Sequence, residues 1–321
     1  MERNRSFKMP PLDNSQNSRR MRRLEEQKRS RAMKVESARN VDIFAGLSLN
    51  SLNDMVIDGE NSHAERGKRP SKWANLAMYA EPLELNGAGG VLPQDFATAW
   101  IAVAPVPRGK RCILVAYKAW AQGSIVSMRS RAKGNQIMTL RTHLPADTIL
   151  DCILDEQWET NGIIHVLDIL RWKSQDYTQC EASFRFWWRD VKIAELAKAN
   201  PPASSSSRPP HFSYPCNFQP VPYFSDLHDI NLLQNTIIPI ARSGITVNVP
   251  LAPSDMSDDN VLVHNCQSDG ILFYVGESSY EPGPSLLAAW VPVVPFNDGE
   301  ESPLEVFARH VQEITSANVS I

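Results

Sequence analysis

Apolar residues along this chain gather in short, nearly continuous runs bounded by turn formers. The runs are WIAVAPV (Trp100–Val106), RCILVAYKA (Arg111–Ala119), TILDCIL (Thr148–Leu154), GIIHVLDIL (Gly162–Leu170), ILFYV (Ile271–Val275) and LLAAWVPVV (Leu286–Val294). Runs of this length between Gly, Pro, Asn and Ser read as strands. The last two flank the turn-rich GESSYEPGPS and read as a hairpin whose second strand delivers Trp290 just before a proline-rich exit. A tryptophan in that place either fills a core or forms the wall of a site. DVKIAELAKA (Asp190–Ala199) has helical spacing instead. Several strands joined by short turns, with few helices, predict an α+β fold of antiparallel sheets rather than a βαβ alternation.

The amino-terminal stretch has a different character. Beyond Pro11 and as far as Ala45 there is neither Gly nor Pro, and RRMRRLEEQKRSRAMKVESARN is made of good helix formers. Its apolar residues Met21, Leu24, Met33 and Val35 are too sparse for a core-facing stripe, which predicts a helix that does not pack on its own body. Residues 46–70 mix Asn, Ser, Asp and Gly and read as a linker. The folded body is expected from Ser71 to Pro295, followed by a tail over 296–321; PPASSSSRPP (Pro201–Pro210) reads as a surface loop.

Charge sharpens this division. The 321-residue chain carries a net charge of −3, yet Arg19 to Lys34 holds eight Lys or Arg against only Glu25 and Glu26. A basic helical arm awaiting an acidic partner, nucleic acid or protein, fits that asymmetry. The five cysteines stand singly, without CxxC or a Cys/His cluster at zinc spacing, which fits a reduced compartment and no structural metal. No apolar run is long enough to span a bilayer, and MERNRSFKMPPLDN lacks the apolar centre of a signal peptide.

Two basic groups are placed for phosphate. PRGKR (Pro107–Arg111) is a tight turn between two strands, where cations either guard a sheet edge or hold a phosphate chain. Arg129, Arg131 and Lys133 in SMRSRAKGN follow the next strand. Asp151, Asp155, Glu156 and Asp168 lie on or beside strands, a weak signal for a carboxylate metal site.

In order, a basic turn, a strand with Asp, a second strand with Asp, DGILFY and a final tryptophan strand resemble the nucleotide-binding domain of RNA capping enzymes and nucleic-acid ligases. Those enzymes use a lysine in KxDG. Here the nearest position is Lys118 in YKAWAQG, and their DGE strand reads Asp151-Cys152-Ile153. The resemblance therefore implies a retained guanine-nucleotide site without catalytic residues or a cofactor, against the alternative of an active guanylyltransferase or ligase. A general RNA-binding protein with a basic arm is a third reading.

The chain is most similar to the snurportin family in TILDCIL, in VLDILRWKSQDYTQCEASFRFWW (Val166–Trp188), in YPC (Tyr214–Cys216) and in DGILFY with YEPGPSLLAAW; WANLAMYAEP (Trp73–Pro82) matches in order. That family recognises the 2,2,7-trimethylguanosine cap of spliceosomal small nuclear RNAs. The resemblance implies a non-enzymatic nuclear import adaptor shuttling between cytoplasm and nucleus. Trp290 and Tyr79 would stack on the cap, with Ala80 beside Tyr79 where the family has serine and Pro82 where it has tryptophan. Lys110 and Arg111 would hold the triphosphate, with Arg129 or Arg131 adding charge. The arm residues Arg19, Arg20, Arg22, Arg23, Lys28, Arg29 and Arg31 would bind importin-β, and Phe7, Met9 and Leu12 suggest a thin exportin motif.

Overall fold

In the computed structural model, residues 15–45, 71–85, 92–120, 123–197, 211–250 and 261–319 are described. The expected linker, the PPASSSSRPP stretch and the residues Phe7, Met9 and Leu12 lie outside them. Among the described residues, fourteen strands and a few helices form an α+β body. Strands β1 (Met78–Pro82), β2 (Trp100–Pro107), β3 (Gly109–Trp120), β4 (Gly123–Ser130), β5 (Gln136–Thr142), β6 (Thr148–Asp155) and β7 (Ile163–Trp172) come first. They are followed by β8 (Gln175–Asp176), β9 (Asn217–Pro220), β10 (Tyr223–Phe224), β11 (Ile245–Pro250), β12 (Val261–Cys266), β13 (Ser268–Val275) and β14 (Gly283–Pro292).

One sheet runs β1-β14-β13-β2-β10 and a second runs β5-β4-β3-β6-β7-β8, with β9 added to β7; β11 and β12 form a separate hairpin. Pairing is antiparallel except β1 on β14 and β9 on β7. Each apolar run of the sequence became a strand, because β2 and β6 are buried along their whole length and need apolar residues on both faces.

The two sheets face each other across a core that includes Val103, Ile113, Ile153, Leu167, Leu272 and Tyr274. Opposite it, the first sheet is covered by α1 (Gln16–Ala45), α2 (Phe96–Ala99), a helical stretch and the last helix. Short α3 (Trp158–Asn161) leads into β7, and α4 (Ala182–Ala194) places Ala182 and Phe186 in the intersheet core and Ile193 in the cluster on the other face of the second sheet. The helical stretch passes from α5 (Ile230–Leu232) through a π turn to α6 (Ile238–Ser243), and the last helix is α7 (Pro303–Val319). Among the described residues no helix is long and apolar enough to cross a membrane.

Three expectations are corrected. The helix around Asp190 starts at Ala182, so FRFWW is helical, and it ends at Ala194. Its buried residues Ala182, Arg185, Phe186, Arg189 and Ile193 recur at helical spacing, two of them arginines. The carboxy-terminal segment is not a tail over its whole length, since α7 buries Leu304, Phe307 and Val311 in the core.

The basic helix does pack on its own body. Leu24 enters the core beside Trp100 and Leu287, and polar groups do the rest. Gln16 donates to the Pro82 carbonyl at 2.9 Å and accepts from the Glu84 amide. Gln27 accepts from the Ser279 amide at 2.9 Å. Arg19 faces Glu81 and Glu84, Arg23 meets Glu281 at 2.8 Å, and Lys28 meets Glu277. An apolar-stripe argument misses such a helix because one leucine and a row of ion pairs hold it.

The arginines of α4 fix the body internally. Arg185, wholly buried, forks onto Asp168 of β7 at 3.0 and 2.9 Å and donates to the carbonyls of Cys180 and Ser278. Arg189 donates to the carbonyls of Leu167 and Val221. Removing one partner of a buried pair leaves an uncompensated charge and costs about 3–5 kcal/mol, whereas an exposed pair contributes about 0–1. We expect Arg185→Met to lower unfolding free energy in urea by about 3–5 kcal/mol. Arg242→Ala, which breaks the exposed pair with Glu305, should change it by less than about 1 kcal/mol. Equal losses in the two variants would contradict this placement of the fold's electrostatic weight.

Candidate functional site

At one end of the facing sheets lies a cavity of about 530 Å³, within the range of small-molecule sites. One wall comes from the first sheet: Tyr79 and Ala80 of β1, Asp269 and Leu272 of β13, and Trp290 of β14. The other comes from the second sheet and its turn: Gly109, Lys110 and Arg111 of β3, Ile153 of β6, Ser130 at the end of β4 and Arg131 just after it. The parallel register β1–β14 sets Pro82 opposite Trp290 and Tyr79 opposite Pro284, with an irregularity between Ala80 and Glu81.

Trp290 is half-buried, packed on the intersheet core with the rest of its indole facing the cavity. Gly270 makes room for it. At φ 147°, a side chain here would bring its Cβ to 2.2 Å from the Val291 carbonyl and 2.9 Å from the Trp290 ring. That is the role of the Asp-Gly pair entering β13. Tyr79 is held by its hydroxyl, which donates to the Arg131 carbonyl at 3.2 Å, while the Arg131 guanidinium lies 4.9 Å from its ring centre.

The basic residues divide. Lys110 is exposed at the cavity and Arg131 lines it, whereas Arg129 is not among the lining residues. Arg111 reaches the cavity, but its charge is committed. It forks onto Asp151 at 2.9 and 2.7 Å, and burial works against its charge while Asp151 holds its pKa well above the ordinary value. Tyr280 also donates to Asp151, at 2.7 Å, and its oxygen accepts the Met78 amide at 2.9 Å, next to Tyr79. Burial and the Asp151 charge push the Tyr280 pKa up.

Of the strand carboxylates, Asp151 is thus taken by Arg111 and Asp168 by Arg185. The cavity is also lined by a carboxylate at the entrance of β13, Asp269. Burial pushes its pKa up, Arg108 lowers it and Glu156 raises it further. Its place before Gly270 at the mouth of a strand was the available signal. A cationic, flat ligand with a phosphate tail suits this combination: an indole and a phenol for the ring, a carboxylate nearby, and Lys110 with Arg131 for the phosphates.

The arm residues assigned to a partner are distributed along α1. Arg19, Arg23, Lys28 and Arg31 are paired with carboxylates of the body. Arg22 is exposed, and Arg29 reaches only Glu25 of its own helix. Arg20 is buried over Trp100, 4.8 Å from the ring centre, with Nε and one terminal nitrogen unpartnered; burial pushes its pKa down to about 10.

Residues 91–216 match the family described as Snurportin1, m3G cap-binding domain. The matched segment contains Lys110, Arg111 and Arg131, while Tyr79 and Trp290 join the same cavity from outside it. The wall of the intersheet cavity that carries Lys110, Arg111 and Arg131 thus falls within a segment similar to the Snurportin1 m3G cap-binding domain, which supports a snurportin assignment.

Proposed function

We propose that this protein binds the m3G cap of small nuclear RNAs in the intersheet cavity and acts as an adaptor, not an enzyme, whose amino-terminal helix is offered to importin-β. The observation that carries the reading is the convergence of Trp290, Tyr79, Lys110 and Arg131 on one cavity beside a family-matched segment. Methylation at N7 gives the guanine a positive charge, so stacking on Trp290 gains a cation–π term. Arg111 serves as a floor fixed by Asp151 rather than as a free phosphate ligand, and Lys110 with Arg131 takes the triphosphate.

The enzymatic alternative needs an activated lysine and carboxylates free to assist a metal. The engagement of Asp151 and Asp168 by arginines argues against it. Labelled GTP with magnesium or manganese is expected to leave no covalent adduct on the protein, and an adduct on a lysine would establish the alternative.

Handing α1 to importin-β requires its release from Glu81, Glu277 and Glu281, since one row of cations cannot face two acidic surfaces. Recycling by an exportin and shuttling between nucleus and cytoplasm complete the proposed role.

The first test compares trimethylated and monomethylated cap dinucleotides in a binding competition with the intact protein and with Trp290→Ala. Base stacking contributes roughly 1–3 kcal/mol and the cation–π term adds to it, so the variant should lose about 2–3 kcal/mol of affinity for the trimethylated cap. Its melting temperature should fall little, because the indole is only half-buried. Full affinity combined with a large loss of stability would return Trp290 to a purely structural role.

The second test concerns the arm. Glu81→Gln with Glu281→Gln should strengthen importin-β binding several-fold, measured by biolayer interferometry, by weakening the competing contact within the chain. An unchanged affinity would mean that the docked helix and the importin-bound helix do not compete.

A further inference from the structure

Outside the cap cavity, where the end of β6 meets the end of β12, three buried side chains with metal-binding atoms converge. Asp155, His165 and Cys266 each place one donor atom within 4.8 Å of the other two. They are 4%, 1% and 2% exposed, respectively, and none of them lines the cavity. Four features go beyond mere proximity.

The carboxylate is already oriented. Asp155 Oδ1 accepts from the Asn161 side-chain amide and the Gln157 backbone amide, both at 2.8 Å, leaving Oδ2 to face His165 Nε2 at 2.9 Å. Such outer partners are what hold a ligating carboxylate in metal sites. A fourth donor is near: His264 stands two residues before Cys266 on β12, hence on the same face, with Nε2 4.0 Å from Asp155 Oδ1.

The donor set is selective. A sulfur, imidazole nitrogens and one carboxylate oxygen suit zinc and its neighbours rather than magnesium or calcium. Finally, the charge balances. One dication neutralises a thiolate and a carboxylate in a setting where either charge alone would be costly.

We propose that Asp155, His165 and Cys266, with His264 as fourth ligand, form a tetrahedral divalent-metal site of the zinc class that joins the β11–β12 hairpin to the second sheet. On binding, the Cys266 thiol releases its proton to solvent and forms the sulfur–metal bond. His165 moves its one proton from Nε2, where it faces Asp155, to Nδ1 and offers Nε2. Asp155 binds through Oδ2 with Oδ1 still held by Asn161.

The ion would replace two donor protons that converge on one carboxylate. Without it, burial and the Asp155 charge push the Cys266 pKa up to about 12. Burial acts to raise the Asp155 pKa, but its hydrogen bonds hold it down to about 2. The site would also brace the cap cavity. Gln267, next to Cys266, and Glu156, next to Asp155, are both bonded to the backbone of Arg108, in the turn that carries Gly109 and Lys110 into the cavity.

The test uses the full-length protein, treated with a chelator under reducing conditions and titrated with cobalt(II). One equivalent should bind, with a thiolate-to-cobalt charge-transfer band in the near ultraviolet that zinc(II) abolishes. Zinc should also raise the melting temperature. Cys266→Ser, which retains a hydrogen-bond donor to Asp155, should keep its circular dichroism spectrum and lose the band. His264→Ala should weaken cobalt binding by at least the roughly tenfold that even an outer-sphere partner contributes. Failure of the unmodified protein to develop the band, or a band that persists in Cys266→Ser, would overturn the proposal and leave a hydrogen-bonded cluster. These measurements are independent of cap binding.

Discussion

The bridge from Arg111 through Asp151 to Tyr280 sets the geometry of the intersheet cavity. Arg111 and Asp151 belong to the second sheet, and Tyr280 belongs to the loop entering β14 of the first. The Tyr280 hydroxyl also holds the Met78 amide, so the position of β1, and with it Tyr79, is referred to a carboxylate on the opposite sheet. A bridge of this kind contributes little net stability against an apolar substitute, but it tolerates no unpaired state. It therefore specifies one spacing between the walls, and a cavity that grips a flat ring needs one spacing.

The same residues bear on chemistry. Asp151 and Asp168 stand directly opposite each other on β6 and β7, a position from which two carboxylates would repel if both were ionised without partners. Each instead has its own arginine, one from β3 and one from α4. Charges locked in this way shape a binding surface but are poorly disposed to follow a reaction. The cavity's mobile charge sits at its rim, on Lys110 and Arg131, where it can attract a phosphate chain without disturbing the floor.

Strands buried on both faces were legible in the sequence, since β2 and β6 need unbroken apolar runs. Half-polar β4 and β5 escaped notice, as did the short β11 and β12, because exposed faces break the run. The helix α4 was misplaced because its inward face includes Arg185 and Arg189, which periodicity reads as solvated. Docking of α1 was invisible for a related reason: glutamines and arginines supply most of its contacts. At the cavity, Tyr79 and Trp290 were reached through family resemblance, not through pattern. That Asp151 consumes the charge of Arg111, and that His165 and Cys266 meet over Asp155, are facts of three-dimensional pairing between distant strands that no local spacing encodes.

Strand β1 serves two clients. Its first half, with Tyr79 and Ala80, faces the cavity, while Glu81 and Pro82 bond to the basic helix, and the irregularity in its pairing falls between the two halves. Five residues thus connect the cavity to the basic helix. Thermodynamic reciprocity then applies: whatever factor an occupied cavity contributes to freeing the helix, a captured helix must return to the cavity's hold on its ligand. Any coupling between a ligand in the cavity and a partner of the helix would have to cross one short strand and the irregular register at its middle.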